Sequence, residues 1–234
     1  MAYQRARRWM SGLSFIVLVS LAWQLEAATP AGEVRSMRGT AVAKGIDGMR
    51  RTLEKGADVF AGDRIDTSAR SFVLIQFEDR TRFALGQNGS MNVNDFVYKS
   101  DGKQDNIATQ VLKGAFRFVS GLISKRRPAS MRVRLGRIAT IGLRGTRVGG
   151  EVDGDSARVV LLEPEDGDQN TGIDVSNEFG AVSIDEPGFG TDIPDANSPP
   201  SPPRRMRLRA IENLTRTIQS LGRVSTPRVR PRMR

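Results

Sequence analysis

The segment Ala139–Thr146 places two glycines and an arginine within a run of alternating apolar residues. This alternation has the period of a β-strand with one buried face. A glycine inside such a pattern usually marks a bulge or the close approach of another backbone. Because Gly142 and Gly145 bracket Leu143 and Arg144, the segment predicts a sharply bent crossing strand in a β architecture.

Residues 32–162 contain many further strand-like segments separated by glycine turns. Val73, Ile75 and Phe77 share one face of a predicted strand, and the pair Asp153-Gly154 predicts a tight hairpin. The predicted fold class is therefore all-β. Many short strands suit a sandwich, a barrel or a solenoid, and strand content does not choose among them.

Four motifs, in a fixed order, resemble the FecR-domain family of bacterial periplasmic regulators. They are the segments 56–67, 72–86, 114–121 and 139–146, and the resemblance extends over about residues 32–162. The chain departs from the family pattern at Asp79-Arg80-Thr81, which lacks a glycine, and at Gly136-Arg137, which lacks a proline. The resemblance implies a compact, β-solenoid-like domain, here bounded at 29–190. It also implies a structural role for the motif residues Gly56, Gly62, Asp63, Thr67, Gly114, Gly142, Arg144, Gly145 and Thr146.

The polar residues among these motifs admit two interpretations. Asp63 and Thr67 could form a site, but Asp and Thr also bond to local backbone in turns, and we favour that structural role. Arg144 could pair with a buried carboxylate such as Asp63, which we also favour. Its planar guanidinium could instead bind a partner's carboxylate. The adjacent acids Glu78 and Asp79 are expected at an exposed hairpin tip, too open for catalysis.

The first 28 residues predict an export signal. Arg5, Arg7 and Arg8 precede an apolar stretch from Trp9 to Leu25, and small residues follow it. This is the pattern of a cleaved secretory signal peptide, which predicts a periplasmic protein. A retained membrane anchor is the alternative.

The composition excludes several kinds of chemistry. The chain has no histidine and no cysteine, so it lacks the commonest general base and any thiolate ligand. We therefore expect neither an enzyme nor a bound cofactor. Asp166, Asp168 and Asn170 have the spacing of the first calcium-loop ligands, but the glycine and the final glutamate of such a loop are missing. We expect a solvated acidic loop and no metal.

Charge is divided into blocks along the chain. Residues 29–150 carry 22 Lys or Arg against 11 Asp or Glu. Residues 151–200 carry 13 acids and one arginine, and residues 201–234 carry ten arginines and one glutamate. Either the acidic block lies against the basic segments, or the basic tail is open and binds an anionic partner.

The C-terminal region predicts a linker followed by a helix. Residues 191–203 are rich in proline and predict a stiff spacer. A basic tail at 204–234 follows, with an amphipathic helix over about 204–221 whose apolar residues recur at helical spacing. This helix could pack back on the β-domain or bind an anionic membrane or polymer. The candidate interaction residues are Arg204, Arg205, Arg207, Arg209 and Arg216.

Together these features predict an exported, non-enzymatic interaction, signalling or scaffolding module of a Gram-negative cell envelope. The alternative is an adaptor that binds an anionic membrane or polymer through the C-terminal helix. We expect an envelope protein as partner and no nucleic acid, because the export signal argues against it. Family regulators carry a cytoplasmic anti-sigma segment before their membrane span. Only Met1–Arg8 precede the apolar stretch here, so we expect no direct contact with a cytoplasmic sigma factor.

Overall fold

The computed structural model describes residues 29–99, 101–127, 130–163 and 171–224. Within these ranges the chain is mostly β, with 17 strands and two helices. The strands are β1 (Gly32–Arg38), β2 (Ala41–Lys44), β3 (Arg50–Thr52), β4 (Asp58–Val59), β5 (Arg64–Thr67), β6 (Phe72–Phe77), β7 (Arg82–Leu85), β8 (Ser90–Val97), β9 (Asn106–Val119), β10 (Met131–Leu135), β11 (Ala139–Arg144), β12 (Arg147–Asp153), β13 (Ser156–Leu162), β14 (Gly172–Asn177), β15 (Gly180–Ile184), β16 (Phe189–Ile193) and β17 (Arg204–Arg205). The helices are α1 (Leu122–Arg126) and α2 (Arg209–Val224). The all-β prediction is confirmed.

The strands form two facing sheets that share β9. Sheet I has the order β4-β1-β6-β7-β9-β12-β13-β16-β17. Sheet II has the order β3-β2-β5-β8-β9-β10-β11-β14-β15. All pairs are antiparallel except β9 with β10. One strand therefore joins both sheets near their middles.

Strand β9 passes from one sheet to the other at Gly114. Its first half, up to Lys113, pairs with β8, and its second half, from Gly114, pairs with β12. Gly114 has φ +93°, and a Cβ there would lie 2.8 Å from the Cα of Gly89. Only glycine meets both demands without strain, so this motif glycine makes the corner possible.

Alternating side chains from both sheets meet in one core. Val73, Ile75 and Phe77 of β6 point inward as predicted and are fully buried. The Phe77 ring of sheet I stacks on the Phe96 ring of sheet II, with centroids 5.4 Å apart. Burying each such large side chain stabilises the fold by about 1.5–3 kcal/mol.

The chain's path combines features of a sandwich and of a solenoid. The two sheets enclose a core as in a sandwich. Successive hairpins alternate between sheets: β10–β11 lies in sheet II, β12–β13 in sheet I, β14–β15 in sheet II and β16–β17 in sheet I. Each hairpin pairs with the preceding hairpin of its own sheet, so the chain advances as in a solenoid.

The predicted linker at 191–203 is not a free spacer. Thr191 is buried in β16, where its Oγ1 donates to the carbonyl of Ser201 at 2.7 Å. The backbone N–H of Asp192 donates to Ser201 Oγ at 3.0 Å. Arg204–Arg205, predicted as the start of the helix, instead forms β17, and the helix begins at Arg209. The bonds from Thr191 and Asp192 to Ser201 therefore attach the proline-rich stretch to β16 of sheet I.

Helix α2 packs on the outer face of sheet I. Leu208, Ile211 and Leu214 are buried there, against a surface that includes Val160, Phe72 and Ala84. This is the arrangement in which the helix packs back on the β-domain. Neither α1 nor the described part of α2 has both the length and the apolar character needed to cross a membrane.

Three predicted features lie wholly or partly outside the described residues. They are the signal peptide at 1–28, the acidic loop residues Asp166, Asp168 and Asn170, and the end of the basic tail at 225–234.

Candidate interaction site

The carboxylate of Asp63 is buried in the turn before β5 and serves the fold. It is 2% exposed, accepts the Phe60 N–H at 2.8 Å and forms an ion pair with Arg51. Burial raises the pKa of Asp63, while the Phe60 hydrogen bond and the Arg51 charge act in the opposite direction. The Arg51 guanidinium also lies 5.0 Å from the centre of the Phe60 ring. Asp63 thus bonds to local backbone, as the structural interpretation expects.

Thr67 joins two turns that are distant in sequence. Its buried Oγ1 donates to the Gly86 carbonyl at 2.6 Å and accepts the Gly89 N–H at 2.9 Å. These bonds tie the end of β5 to the β7–β8 turn. We expected local bonds from Thr67 to its own turn, and the observed bonds are instead long-range.

Two residues of the variant turn, Asp79 and Thr81, are buried, while Arg80 and the preceding Glu78 are exposed. Asp79 is fully buried, contrary to expectation. Its carboxylate accepts the Thr81 N–H at 2.9 Å, the Thr81 hydroxyl at 2.7 Å and the Ile123 N–H at 3.2 Å. These contacts satisfy a free N–H at the start of α1. The acid is therefore committed to the fold.

Arg144 does not pair with Asp63, contrary to our expectation. Its guanidinium donates to Asp185 at 2.6 Å and to Asp174 at 3.4 Å, and the side chain is 45% exposed. The bend predicted for this segment lies at Gly145, which has φ +59° between β11 and β12. Gly142 lies in regular strand, where a Cβ would have no neighbour closer than 3.9 Å. Arg144 thus binds two exposed acids of the acidic block.

The motif corners frame a groove on one side of α2, here called the α2 groove. It has a volume of about 650 Å³, with Phe72, Ala115 and Leu214 among its lining residues. The Thr67 bonds hold the β7–β8 turn on its rim, and the Gly114 corner forms another part of the wall. Charged residues of both signs line it: Arg38, Arg70, Lys113, Glu151 and Asp153. Such a groove suits a polar segment with charges of both signs.

A second, more apolar groove of about 470 Å³ lies on the other side of α2. Val160, Leu162 and Met206 contribute to its surface, and Arg207 and Arg216 stand at its edge. Both grooves depend on α2 and on the position at which it docks on sheet I. The sequence predicts the helix, but its apolar spacing does not say where the helix docks.

The predicted basic interaction residues are all exposed, but they differ in their partners. Arg204 pairs with Asp192 at 2.5 Å, and Arg205 pairs with Glu186 at 3.5 Å. Arg216 donates to Asn213 at 2.7 Å. Within the described ranges, Arg207 and Arg209 make no ion pair. The acidic block therefore neutralises the first two arginines of the tail, as one of the two charge hypotheses expects.

A cluster of three arginines on the outer face of sheet I was missed by sequence reasoning. Arg82, Arg117 and Arg147 come from β7, β9 and β12, and Arg82 and Arg147 share the register partner Val119. Burial, together with the charges of Arg147 and Arg82, lowers the pKa of Arg117 to about 10. Strand register brings these three residues together, and no local sequence pattern predicts the cluster.

The described part of the chain contains no group of three or more acids, histidines or cysteines placed to hold a metal ion. The outward side chains of sheet II instead form a polar row across neighbouring strands. In register order the row is Arg50, Lys44, Arg64, Asn92, Gln110, Arg134, Thr140 and Ser176. Each is exposed or partly exposed. The outer face of sheet II is thus polar and basic along most of its width.

Comparison with known proteins supports the resemblance drawn from the motifs. Residues 63–165 match the family model described as FecR protein. No curated protein matches the sequence.

Two solved structures are similar to parts of the chain. One, described as a cell surface anchoring domain, is 25% identical with a TM-score of 0.26, covering 27% of this chain and 83% of that chain. The other, described as a candidate anti-sigma factor from Parabacteroides distasonis ATCC 8503, is 12% identical with a TM-score of 0.47. That match covers 64% of this chain and 62% of that chain. Both TM-scores are too low to support a functional argument.

Proposed function

We propose that this chain, whose residues 63–165 match the FecR model, is an exported, non-enzymatic protein-binding module that takes part in signalling or scaffolding in the cell envelope. The observation that carries the proposal is the α2 groove, because the motif residue Thr67 holds its rim and the Gly114 corner forms part of its wall. A partner segment bearing both acidic and basic side chains fits the charges that line the groove. The buried polar side chains Asp63, Asp79 and Thr67 are hydrogen-bonded within the fold.

Site-specific photo-crosslinking in cells tests the groove. A photoreactive amino acid at Lys113, in the groove, is compared with one at Arg132, an exposed position on sheet II. We expect a discrete protein adduct from position 113 that is absent from position 132. The adduct should weaken when Arg38→Glu reverses a charge on the groove wall. Equal adducts from both positions, or an adduct insensitive to Arg38→Glu, would contradict the proposed site.

Export is tested separately by fractionating a tagged protein and sequencing its N-terminus. Cleavage after Ala28 would leave Thr29 as the first residue in the periplasmic fraction. An uncleaved protein in the membrane fraction would support the retained anchor. A protein found only in the cytoplasm would overturn the envelope assignment while leaving the groove test valid.

A further inference from the structure

The hairpin between β2 and β3 holds two large apolar side chains out in the solvent. Ile46 is 93% exposed and Met49 is 70% exposed. The turn that carries them is well bonded: the Gly45 N–H donates to the Met49 carbonyl at 3.0 Å, and the Met49 N–H donates to Asp47 Oδ1 at 2.9 Å. The turn therefore presents both apolar side chains in a defined position instead of folding them against the sheet.

Three cations lie side by side just behind this tip. Lys44 is the register partner of Arg50 on one side and of Arg64 on the other. Directly opposed like charges on neighbouring strands destabilise a sheet. Arg64 has an ion-pair partner in Asp66 at 3.3 Å. Lys44 and Arg50 have none within the described ranges, so an external anion would relieve their repulsion.

The tip also holds one exposed acid, Asp47, which accepts the Met49 N–H, and the three cations behind it outnumber it. Two apolar side chains with a net positive charge beside them match one kind of surface. An anionic lipid surface offers acyl chains to aliphatic side chains and negative headgroups to the cations beside them. A soluble polyanion would use the cations alone and leave the two apolar side chains unexplained. We propose that the β2–β3 hairpin docks on an anionic lipid surface, with Ile46 and Met49 entering the interface.

This proposal differs from membrane binding through the C-terminal helix. The apolar residues Ile211 and Leu214 of α2, and Leu208 just before it, are already buried against sheet I. The helix could reach a membrane with that face only by leaving the sheet. The hairpin needs no rearrangement, and it does not depend on the α2 groove.

A local probe separates the hairpin from any membrane contact elsewhere in the chain. The protein has no cysteine, so Met49→Cys creates a unique site for an environment-sensitive fluorophore in the full chain. The matched control is Phe179→Cys, at the β14–β15 turn, where Phe179 is 51% exposed. The vesicles are phosphatidylcholine alone, or phosphatidylcholine mixed with an equal amount of phosphatidylglycerol.

We expect a blue shift from the probe at position 49 only with phosphatidylglycerol present, and quenching by nitroxide-labelled lipids. The probe at position 179 should show neither. Adding Lys44→Glu and Arg50→Glu should abolish the shift at position 49. Adding Ile46→Ser should raise the lipid concentration needed for half of the shift by about tenfold. No shift at position 49, or equal shifts at both positions, would overturn the proposal. Charge-dependent binding to a soluble polyanion without any shift would also overturn it.

Discussion

The outer faces of the two sheets differ sharply, although the inner faces share one core. Part of the outer face of sheet I carries small and apolar residues such as Ala84 and Gly149, and α2 covers that part. The same face also carries the arginine cluster of Arg82, Arg117 and Arg147. The outer face of sheet II carries the polar row from Arg50 to Ser176. The difference shows that the outward positions of a strand, which do not build the core, decide whether a sheet accepts a helix or stays open to solvent.

Glycine at position 149 illustrates this on the covered face. A Cβ there would lie 2.7 Å from Cγ2 of Ile211, so the helix sits close to the backbone of β12. A Cβ at Gly142, on the outer face of sheet II, would have no neighbour closer than 3.9 Å. The same residue type thus permits close packing on one face and has no such role on the other.

The largest expected effect comes from removing a helix anchor. Leu214→Ala leaves a cavity between α2 and sheet I, and the expected loss in the free energy of unfolding is about 3 kcal/mol. Hydrogen exchange should increase over 209–220 more than in the core strands. Equal increases throughout the fold would mean that α2 is not a separate docking element.

A paired glycine substitution tests the comparison directly. Gly149→Val pushes against Ile211 and is expected to cost about 2 kcal/mol. Gly142→Val has room and is expected to change stability by less than about 0.5 kcal/mol. Urea denaturation of both variants measures the difference. Similar losses of stability in the two variants would show that packing of α2 against β12 is not what makes Gly149 necessary.

A smaller, pH-dependent effect is expected at Asp63, in the turn before strand β5 of sheet II. Because burial raises the pKa of Asp63 in the folded state, its contribution is most favourable at low pH. That contribution is lost as the pH rises from the ordinary Asp pKa through the raised one. Relative to Asp63→Asn, the wild type should therefore lose stability across this acidic window. Urea midpoints of both proteins at several pH values test the sign, and a wild type that gains stability with pH would contradict it.

The smallest effect is expected on the open face itself. Arg134→Thr replaces an exposed cation in the middle of the polar row, and threonine suits a strand. Stability should change by less than about 0.5 kcal/mol. A shift of several degrees in the thermal unfolding midpoint would contradict this, because it would mean that the exposed Arg134 side chain stabilises the fold.

Much of this architecture follows from local sequence patterns. Alternation in segments such as Val73–Phe77 predicts strands and their buried face, and glycine turns predict their ends. Leu208, Ile211 and Leu214 predict an amphipathic helix, although its start at Arg209 depends on Arg204–Arg205 pairing with β16. Proline content alone suggested a spacer where backbone bonds in fact attach the segment to a sheet.

The surface features depend on strand register, which local patterns do not supply. Lys44 and Arg50 meet within the β2–β3 hairpin. Arg64 joins them, and the cluster around Arg117 forms, only through the pairing of strands that are not consecutive in the chain. Asp79 was expected at an exposed tip because acids in turns usually face water. The start of α1, more than 40 residues later, supplies the N–H group that makes its burial possible.

The sharing of β9 by both sheets has a consequence for folding. Before residues 106–119 are in place, the nascent sheets end at β7 and β8, so two strand edges lie open at the same time. Open edges invite pairing with other chains, and non-local pairing makes β proteins slow to fold. A truncated chain that ends before Asn106 should therefore aggregate, and a chaperone that acts during synthesis would be most useful until β9 has paired.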